Sequence, residues 1–172
     1  MILTEVVVRA SGVAARADDN ELSGPTRRKR EITMPSFVTQ PPAADSASAL
    51  EHFERAFLFE TDCWDVHAAL SQQADFVLID VRSPEAFARA HVPAAINIPH
   101  AKIIGARMTA YPASTLFVVY CAGPHCNGAH RAAIRLARLG RPVKIMIGGM
   151  CGWLDEGFRT ERSEAAASAT PA

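Results

Sequence analysis

The sequence predicts an α/β fold in which a central parallel sheet carries helices on both faces. Short runs of apolar, partly β-branched residues, typical of strands buried on both sides, recur at 76–79, 116–120 and 143–147. Segments with helical spacing of apolar residues alternate with these runs, and such alternation builds parallel sheets. Functional sites in folds of this kind lie at the carboxyl ends of the strands.

The composition limits the size of the protein and its partners. The 172 residues, 49% of them hydrophobic, are enough for one core of ordinary size. Lys and Arg equal Asp and Glu at 18 each, so we expect no nucleic acid and no membrane surface among the partners. No apolar run approaches the roughly 20 residues that cross a bilayer. Glu5 and Arg9 interrupt the apolar start, which therefore makes a poor signal peptide.

The four cysteines do not repeat the paired Cys-x-x-Cys spacing of a zinc ribbon: Cys63, Cys121, Cys126 and Cys151. Ligation of a metal by two of them together with His125 and His130 would need strained geometry in one short loop. We therefore expect no metal and no cofactor. A disulfide scaffold is also not expected in a domain of this size, which predicts a cytoplasmic protein.

The ends of the chain differ from its middle. Residues 1–45 contain polar, charged stretches without periodicity, at 17–20 and 26–31, and are predicted to form a poorly ordered extension. Met34 offers a second plausible start, and we hypothesise that the native chain begins there. The folded domain is expected over residues 46–160, followed by a disordered tail over 161–172.

The first helices are predicted from spacing and caps. Four apolar residues after Ser46 recur at helical spacing, with charged residues on the other side: Leu50, Phe53, Phe57 and Leu58. Thr61 or Asp62 is the candidate N-cap of a second, short helix. Ser83 before Pro84 predicts a third helix, over 84–90. It follows the strand at 76–79, which ends at Asp80.

The second half continues the alternation. Residues 92–99 have a proline near each end and predict a loop with a short edge strand. A helix is expected over 129–139, ended by Gly140, with a packing stripe of Ala133, Ile134, Leu136 and Ala137. The last helix is expected around Trp153, after the turn at 148–149.

The strand at 116–120 runs into a cysteine-bearing loop and then a helix. A thiol at the start of a helix meets unpaired backbone N–H groups and the positive end of the helix dipole, which both favour the thiolate. Four backbone N–H groups would hold a bound anion if the loop curls inward, those of Gly123, Asn127, Gly128 and Ala129. The arrangement predicts a sulfur nucleophile with an anion-binding cradle.

Three motifs, in the expected order, resemble the rhodanese (thiosulfate sulfurtransferase) domain family, over about residues 46–160. They are 78–87 with 90–99, the strand 118–120 running into Cys121, and 148–149 followed by Trp153. The resemblance implies a rhodanese-like single-domain sulfurtransferase. Its loop cysteine would take sulfane sulfur from a small sulfur-containing anion such as thiosulfate as a persulfide. The acceptor would be cyanide, a thiol or a protein.

The loop departs from the usual family pattern of Cys, four residues, Arg. Cys126 keeps that spacing to Arg131, whereas Cys121 lies ten positions before it. Cys121 directly follows the strand, and this position favours it as the nucleophile, because the strand end fixes the site in the fold whereas a loop tolerates insertions. The spacing to Arg131 favours Cys126 instead. The second cysteine either resolves the persulfide into an intraloop disulfide or packs the loop as a small hydrophobe.

Charged residues around the loop have two interpretations each. Arg131 either attracts the anion or lies on the surface of the first helical turn. His125 either lowers the pKa of the cysteine or is an exposed loop residue. The resemblance implies that Asp80 and Arg82 do not contact the substrate but hold residues that do. In particular, Asp80 would pair with Arg131 and orient the loop. A plain surface ion pair of Arg82 would contribute little.

Two other functions remain open. The first is a rhodanese-fold module for persulfide sensing or protein binding without efficient turnover, although the intact Cys121 argues against an inactive copy. The second is phosphatase or arsenate reductase chemistry. The loop, with Pro124 and a second cysteine, does not resemble the short phosphate-binding loops of those enzymes.

Overall fold

The structure, a computed structural model, describes residues 34–163. The chain divides into two compact units, residues 1–43 and residues 44–172. In the described part of the first unit, the N–H of Thr39 donates to the carbonyl of Ser36 at 3.0 Å and closes a turn. Residues 1–33, on which the start at Met34 and most of the predicted extension depend, lie outside the described residues.

The second unit forms helices and parallel strands in alternation over its described part. The helices are α1 (Ser46–Phe59), α2 (Cys63–Leu70), α3 (Pro84–Arg89), α4 (Gly105–Met108), α5 (Gly128–Arg138) and α6 (Gly149–Asp155). The strands are β1 (Glu60–Thr61), β2 (Phe76–Asp80), β3 (Ile96–Asn97), β4 (Leu116–Tyr120) and β5 (Val143–Met146). A 3₁₀ turn at His100–Lys102 precedes α4.

The five strands make one sheet in the order β1-β5-β4-β2-β3, with every neighbouring pair parallel. The predicted α/β class with a parallel sheet is thus confirmed. In the pairing of β2 with β4, Asp80 lies opposite Tyr120, so both strands end at the same level. Cys121 follows directly, at the carboxyl edge of the sheet, where parallel α/β folds place their sites.

Side-chain caps set the starts of three helices. Asp45 accepts from the N–H groups of residues 47 and 48 at the start of α1. Asp62, and not Thr61, caps α2 by accepting from the N–H of Asp65 at 2.8 Å. Ser83 caps α3, whose first residue is a proline, as predicted. Each cap satisfies a backbone donor that the helix itself leaves unpaired.

The sheet is covered on both faces by separate apolar cores. The core under α5 and α4 contains eleven buried residues: Ile79, Val81, Ile98, Ile103, Met108, Phe117, Val119, Cys121, Ala129, Ala132 and Leu136. The core under α2 and α6 contains ten: Cys63, Val66, Leu78, Val92, Ala95, Val118, Tyr120, Met146, Met150 and Trp153. Successive residues of β4 alternate between the two cores because side chains of a strand alternate in direction.

The packing stripe predicted for α5 is confirmed for Leu136, which is buried, and for Ala133, which packs partly buried against the core, but it is wrong for Ile134 and Ala137, which are exposed. The helix buries Ala129, Ala132 and Leu136, whereas Ile134 keeps 52% of its surface exposed. Buried positions three and four residues apart follow one side of a helix, and Ile134 lies away from that side. The apolar residues of α1 are likewise exposed, with Phe53 at 64% and Phe57 at 72%.

The folded chain continues beyond residue 160, where the tail was predicted to begin. Glu161 pairs with His91 in an antiparallel bridge, with N–H to carbonyl distances of 2.9 Å in both directions. The N–H of Ser163 then donates to the carbonyl of Ala88 at 3.1 Å. Backbone pairing therefore extends the ordered domain to the last described residue.

Candidate active site

Cys121 and Cys126 stand at the two ends of a short loop and are joined by a disulfide. Their Cα atoms are 6.2 Å apart, within the usual range for bridged cysteines. Between them, the N–H of Cys126 donates to the carbonyl of Gly123 at 3.0 Å. Cys121 is buried at the end of β4, and Cys126 is partly exposed. The structure therefore brings the two predicted thiols together.

The sulfur pair lies at the N-terminus of α5. Gly128 is the first residue of the helix, and a Cβ atom there would lie 2.7 Å from the Sγ of Cys121 and 3.4 Å from that of Cys126. Only glycine leaves room for the sulfur atoms at this place. The side chain of Asn127, which precedes the helix, makes no capping bond. The free N–H groups and the dipole of α5 favour a thiolate or persulfide anion here.

The start of α6 holds the other side of the loop through the backbone. The N–H of Met150 donates to the carbonyl of Cys121 at 2.9 Å, and that of Cys151 to the carbonyl of Ala122 at 2.8 Å. Gly149 has a φ of +57°, and a Cβ atom there would lie 2.5 Å from the carbonyl oxygen of Cys121. A glycine is needed at this position on both counts.

A cavity of about 230 Å³ opens beside the disulfide. One wall is formed by the loop and the start of α5, including both cysteines and His130. The other wall comes from β5 and the turn after it, residues 145–149. The cavity has room for a small anion or for a thiol side chain beside the sulfur atoms.

The residues predicted for substrate binding are distributed around this cavity. Gly123 and Ala129 line it, and Gly128 contacts the sulfur atoms. His125 and Asn127 are exposed on the loop. The residues of the other wall, 145–149, were not predicted from the sequence to be part of the site. The signal that could have found them is the glycine pair at 148–149, which marks a close approach of two backbones.

Arg131 does not line the cysteine cavity. Its side chain is exposed and lines a separate surface cavity with His100, Arg135 and Arg138. The backbone N–H of Arg131 donates to the carbonyl of Asn127 in the first turn of α5. Of the two interpretations, the structure places Arg131 on the surface of the helix, one residue after His130.

Asp80 pairs with Arg82 instead of Arg131. The Nε of Arg82 lies 3.0 Å from both carboxylate oxygens of Asp80, which is fully buried. Arg82 also donates to the carbonyl of Ala90 at 2.6 Å. Asp80 lies level with Tyr120, so it points to the face of the sheet opposite Cys121. Burial and the charge of Asp80 hold the pKa of Tyr120 far above its usual value.

The remaining cysteines differ in exposure. Cys63 is buried, and its thiol donates to the carbonyls of Ile147 at 3.5 Å and Gly149 at 3.7 Å. Burial, with the negative charges of Asp62 and Glu156, raises the pKa of Cys63 to about 11, so the thiol stays protonated at neutral pH. Cys151 is exposed, and its sulfur lies against Gly123 of the loop.

Residues 34–163 contain neither a metal-binding cluster nor a membrane-spanning helix. No group of three or more His, Cys, Asp or Glu side chains in this range is arranged to hold a metal ion. No helix in the same range is long and apolar enough to cross a membrane.

Among solved structures, the chain is similar to the BH2092 protein from Bacillus halodurans, with 34% identity and a TM-score of 0.66. The match covers 69% of this chain and 87% of that one. The thiosulfate sulfurtransferase from Pseudomonas aeruginosa matches with 23% identity and a TM-score of 0.53, over 64% of this chain and 21% of that one. At this identity the likeness concerns the fold alone.

Sequence comparison gives a relative and a family. The chain is 37% identical over 83 residues to the HTH-type transcriptional regulator Rv0324 of Mycobacterium tuberculosis. The match covers 48% of this chain and 36% of the regulator, so the chain spans about a third of that relative's length. The Rhodanese-like domain family matches residues 64–156, which is more than half of the chain and includes the cysteine loop. The resemblance of the three motifs is confirmed, and the chain belongs to the rhodanese-like domain family.

Proposed function

We propose that this protein is a sulfurtransferase that moves sulfane sulfur from a donor such as thiosulfate to a thiophilic acceptor through a persulfide on Cys121. The observation that carries the proposal is the pair of sulfur atoms at the N-terminus of α5, open to a cavity of about 230 Å³. Membership of a family that includes sulfurtransferases supports it.

In the first step, the Cys121 thiolate attacks the outer sulfur of thiosulfate. The sulfur–sulfur bond of the donor breaks, and sulfite leaves with the bonding electron pair. The new persulfide anion is stabilised by the free N–H groups at the start of α5, because backbone donors aimed at a developing charge lower the barrier to its formation. In the second step, cyanide attacks the outer sulfur, thiocyanate leaves, and the Cys121 thiolate returns.

The persulfide on Cys121 can also react with Cys126 instead of an external acceptor. Its thiolate attacks the Sγ of Cys121, the persulfide bond breaks, and hydrosulfide leaves with the electron pair. The product is the disulfide between Cys121 and Cys126. An external thiol must then reduce the disulfide before another cycle, so we place the protein in a reducing compartment, the cytoplasm.

The test is thiosulfate:cyanide sulfurtransferase activity on the reduced protein, with persulfide detected by mass spectrometry. We expect Cys121→Ser to lose both persulfide and turnover, and Cys126→Ser to keep the persulfide and release no hydrosulfide. Cys151→Ser, at an exposed thiol, is the control and should keep both. Loss of persulfide only in Cys126→Ser would assign the nucleophile to Cys126. No persulfide in the unchanged protein would refute the proposal.

A persulfide-sensing or protein-binding module is the second candidate. The similarity to a protein named as a transcriptional regulator favours it, since the paired cysteines can store an oxidation state as a disulfide. The same assay separates the two functions. A sensor would form persulfide or disulfide in a single turnover and then produce no more thiocyanate, whereas an enzyme would continue while donor remains.

A further inference from the structure

The charges of this chain are strongly segregated, although their sum is zero. Residues 86–154 contain no Asp or Glu. The same stretch carries eight cationic residues: Arg89, Lys102, Arg107, Arg131, Arg135, Arg138, Arg141 and Lys144. It also contains the cysteine loop. The stretch that contains the site is therefore cationic in a chain of zero net charge, and cations that share a surface attract anionic partners and speed their association.

Three of these cations form a row on α5. Arg131, Arg135 and Arg138 are spaced at i, i+4 and i+7, which places them on one side of the helix over about 10 Å. All three are exposed and line a surface cavity of about 310 Å³. The ion pairs within residues 34–163 are those of Arg55, Arg82 and Arg159. The row on α5 thus has no carboxylate partner in that part of the chain.

An apolar side chain lies among these arginines. Ile134 lines the same cavity and keeps 52% of its surface exposed. His100 completes the lining from outside the helix. An apolar centre with an arginine rim is typical of protein–protein interfaces, where arginine is enriched. Single-stranded nucleic acid is instead held mainly by large aromatic side chains that stack on successive bases, and no Phe, Tyr or Trp lines this cavity.

We propose that this surface, the α5 arginine face (His100, Arg131, Ile134, Arg135 and Arg138), docks an acidic protein that accepts sulfur from the cysteine loop. The proposal rests on the proposed function and names its acceptor. Adjacent residues connect the two places, because His130 lines the cysteine cavity and Arg131 lines the arginine face. A partner whose carboxylates pair with the arginines is thereby held beside the persulfide.

The transfer step needs no further reactant. A thiolate of the docked protein attacks the outer sulfur of the Cys121 persulfide. The sulfur–sulfur bond breaks, Cys121 leaves as the thiolate, and the partner carries the persulfide.

The probe is a short synthetic peptide that is rich in glutamate and contains one leucine and one cysteine. A twin with glutamine in place of glutamate tests the need for charge. Versions with serine in place of cysteine allow binding to be measured by fluorescence anisotropy without any sulfur chemistry. The test variant is Arg135→Glu with Arg138→Glu. The control is Arg89→Glu with Arg162→Glu, which makes the same change in charge at exposed residues next to the hydrogen bond from Ser163 to Ala88.

We expect the test variant to bind the acidic serine peptide about tenfold or more weakly, because opposed charges become like charges. Sulfur transfer to the cysteine peptide should fall in parallel, while thiosulfate:cyanide turnover at saturating thiosulfate stays within about twofold. The control variant should bind within about twofold of the unchanged protein at the same salt concentration.

Three results would overturn the docking proposal: equal losses in both variants, equal binding of the glutamine twin, or tighter binding of a single-stranded oligonucleotide than of the acidic peptide. Failure of the proposed function gives a different result, since the unchanged protein would then form no persulfide and yet bind the serine peptide.

Discussion

Gly128 decides how closely the Cys121 sulfur approaches the start of α5. In Gly128→Ala the new Cβ atom would lie 2.7 Å from that sulfur, so the loop must shift. We expect a loss of about 1–3 kcal/mol in the free energy of unfolding and a clear drop in persulfide formation. Urea unfolding and mass spectrometry after thiosulfate treatment measure the two effects.

Gly105→Ala provides the matched control for this substitution. Gly105 is also the first residue of a helix, α4, but a Cβ atom there would meet its nearest neighbour, Leu139, at an ordinary 3.8 Å. Stability and persulfide formation should therefore be unchanged in Gly105→Ala. Unchanged persulfide formation in Gly128→Ala would show that the sulfur does not need its place against the helix.

Cys63 should make stability depend on pH in the alkaline range. Its pKa is raised from an ordinary 9.0 to about 11 in the folded protein, so the folded state keeps the proton more strongly than the unfolded state. The contribution to stability is complete below pH 9 and is lost as the pH rises toward 11. Urea unfolding of the unchanged protein and of Cys63→Ala between pH 8 and 10.5 measures the difference. Parallel pH curves would contradict the prediction.

At the residue scale, the two loop cysteines could be identified from the sequence, but the side of α5 on which Arg131 lies could not. The strand end and the loop could be recognised locally, because each depends on residues close in the chain. The side of α5 on which Arg131 lies depends on how the helix rotates against the sheet. That rotation is set by contacts of Ala132 and Leu136 with the core, which lie outside any local pattern.

Among the elements, the end of β2 is joined to the connection between α3 and β3 by Arg82, which pairs with the buried Asp80 and donates to the carbonyl of Ala90. Asp80→Asn would leave Arg82 without its carboxylate while still packed against Ala90. Loss of one partner from a buried pair costs about 3–5 kcal/mol, and we expect a destabilisation of that size in thermal or urea unfolding. An unchanged free energy of unfolding would show that the pair contributes nothing.

Glu161→Gln is the comparison for this effect. Glu161 pairs with Arg159 at 2.9 Å, but the arginine side chain is 79% exposed. Exposed pairs contribute about 0–1 kcal/mol. The two substitutions therefore separate burial from the mere presence of an ion pair.

The long elements could be predicted from the sequence, and so could the short α3 and β3, which a cap and prolines mark, but the other short elements could not. β4 begins and ends where its apolar run predicts, and α5 is displaced by one residue at each end. The two-residue strand β1, the four-residue helix α4 and the 3₁₀ turn before it were missed. Elements this short carry no periodicity, and they form because the surrounding fold places them. For α1 the pattern predicted a helix, but not that its apolar side would be exposed.

At the scale of the whole molecule, we expect residues 44–172 to fold and function by themselves, because they form a separate compact unit. A protein without residues 1–43 should keep its Tm within about 2 °C, which corresponds to less than about 1 kcal/mol. It should also keep its persulfide formation. Thermal unfolding and mass spectrometry measure both, and a larger fall in Tm would show that residues 1–43 stabilise the domain.

At this scale, the net charge of the chain does not show how its charges are distributed. A sum of zero predicts no nucleic acid and no membrane surface as partners, yet Asp and Glu are absent from the entire stretch 86–154 that contains the cysteine loop. A count of charges in successive windows along the sequence reveals the segregation without any structure. Which cations share a surface depends on the fold, since Arg131, Arg135 and His100 meet only in the folded chain.

The main-chain support of the cysteine loop has a consequence for protein engineering. The loop is held by hydrogen bonds of α6 to the carbonyls of Cys121 and Ala122 and by the turn from Gly123 to Cys126. None of these bonds uses the side chains of Ala122, Pro124 or His125, which are exposed. These three positions can therefore be varied in a combinatorial library while the backbone that holds the two sulfur atoms stays unchanged. Variants that act on a chosen acceptor can be selected from such a library.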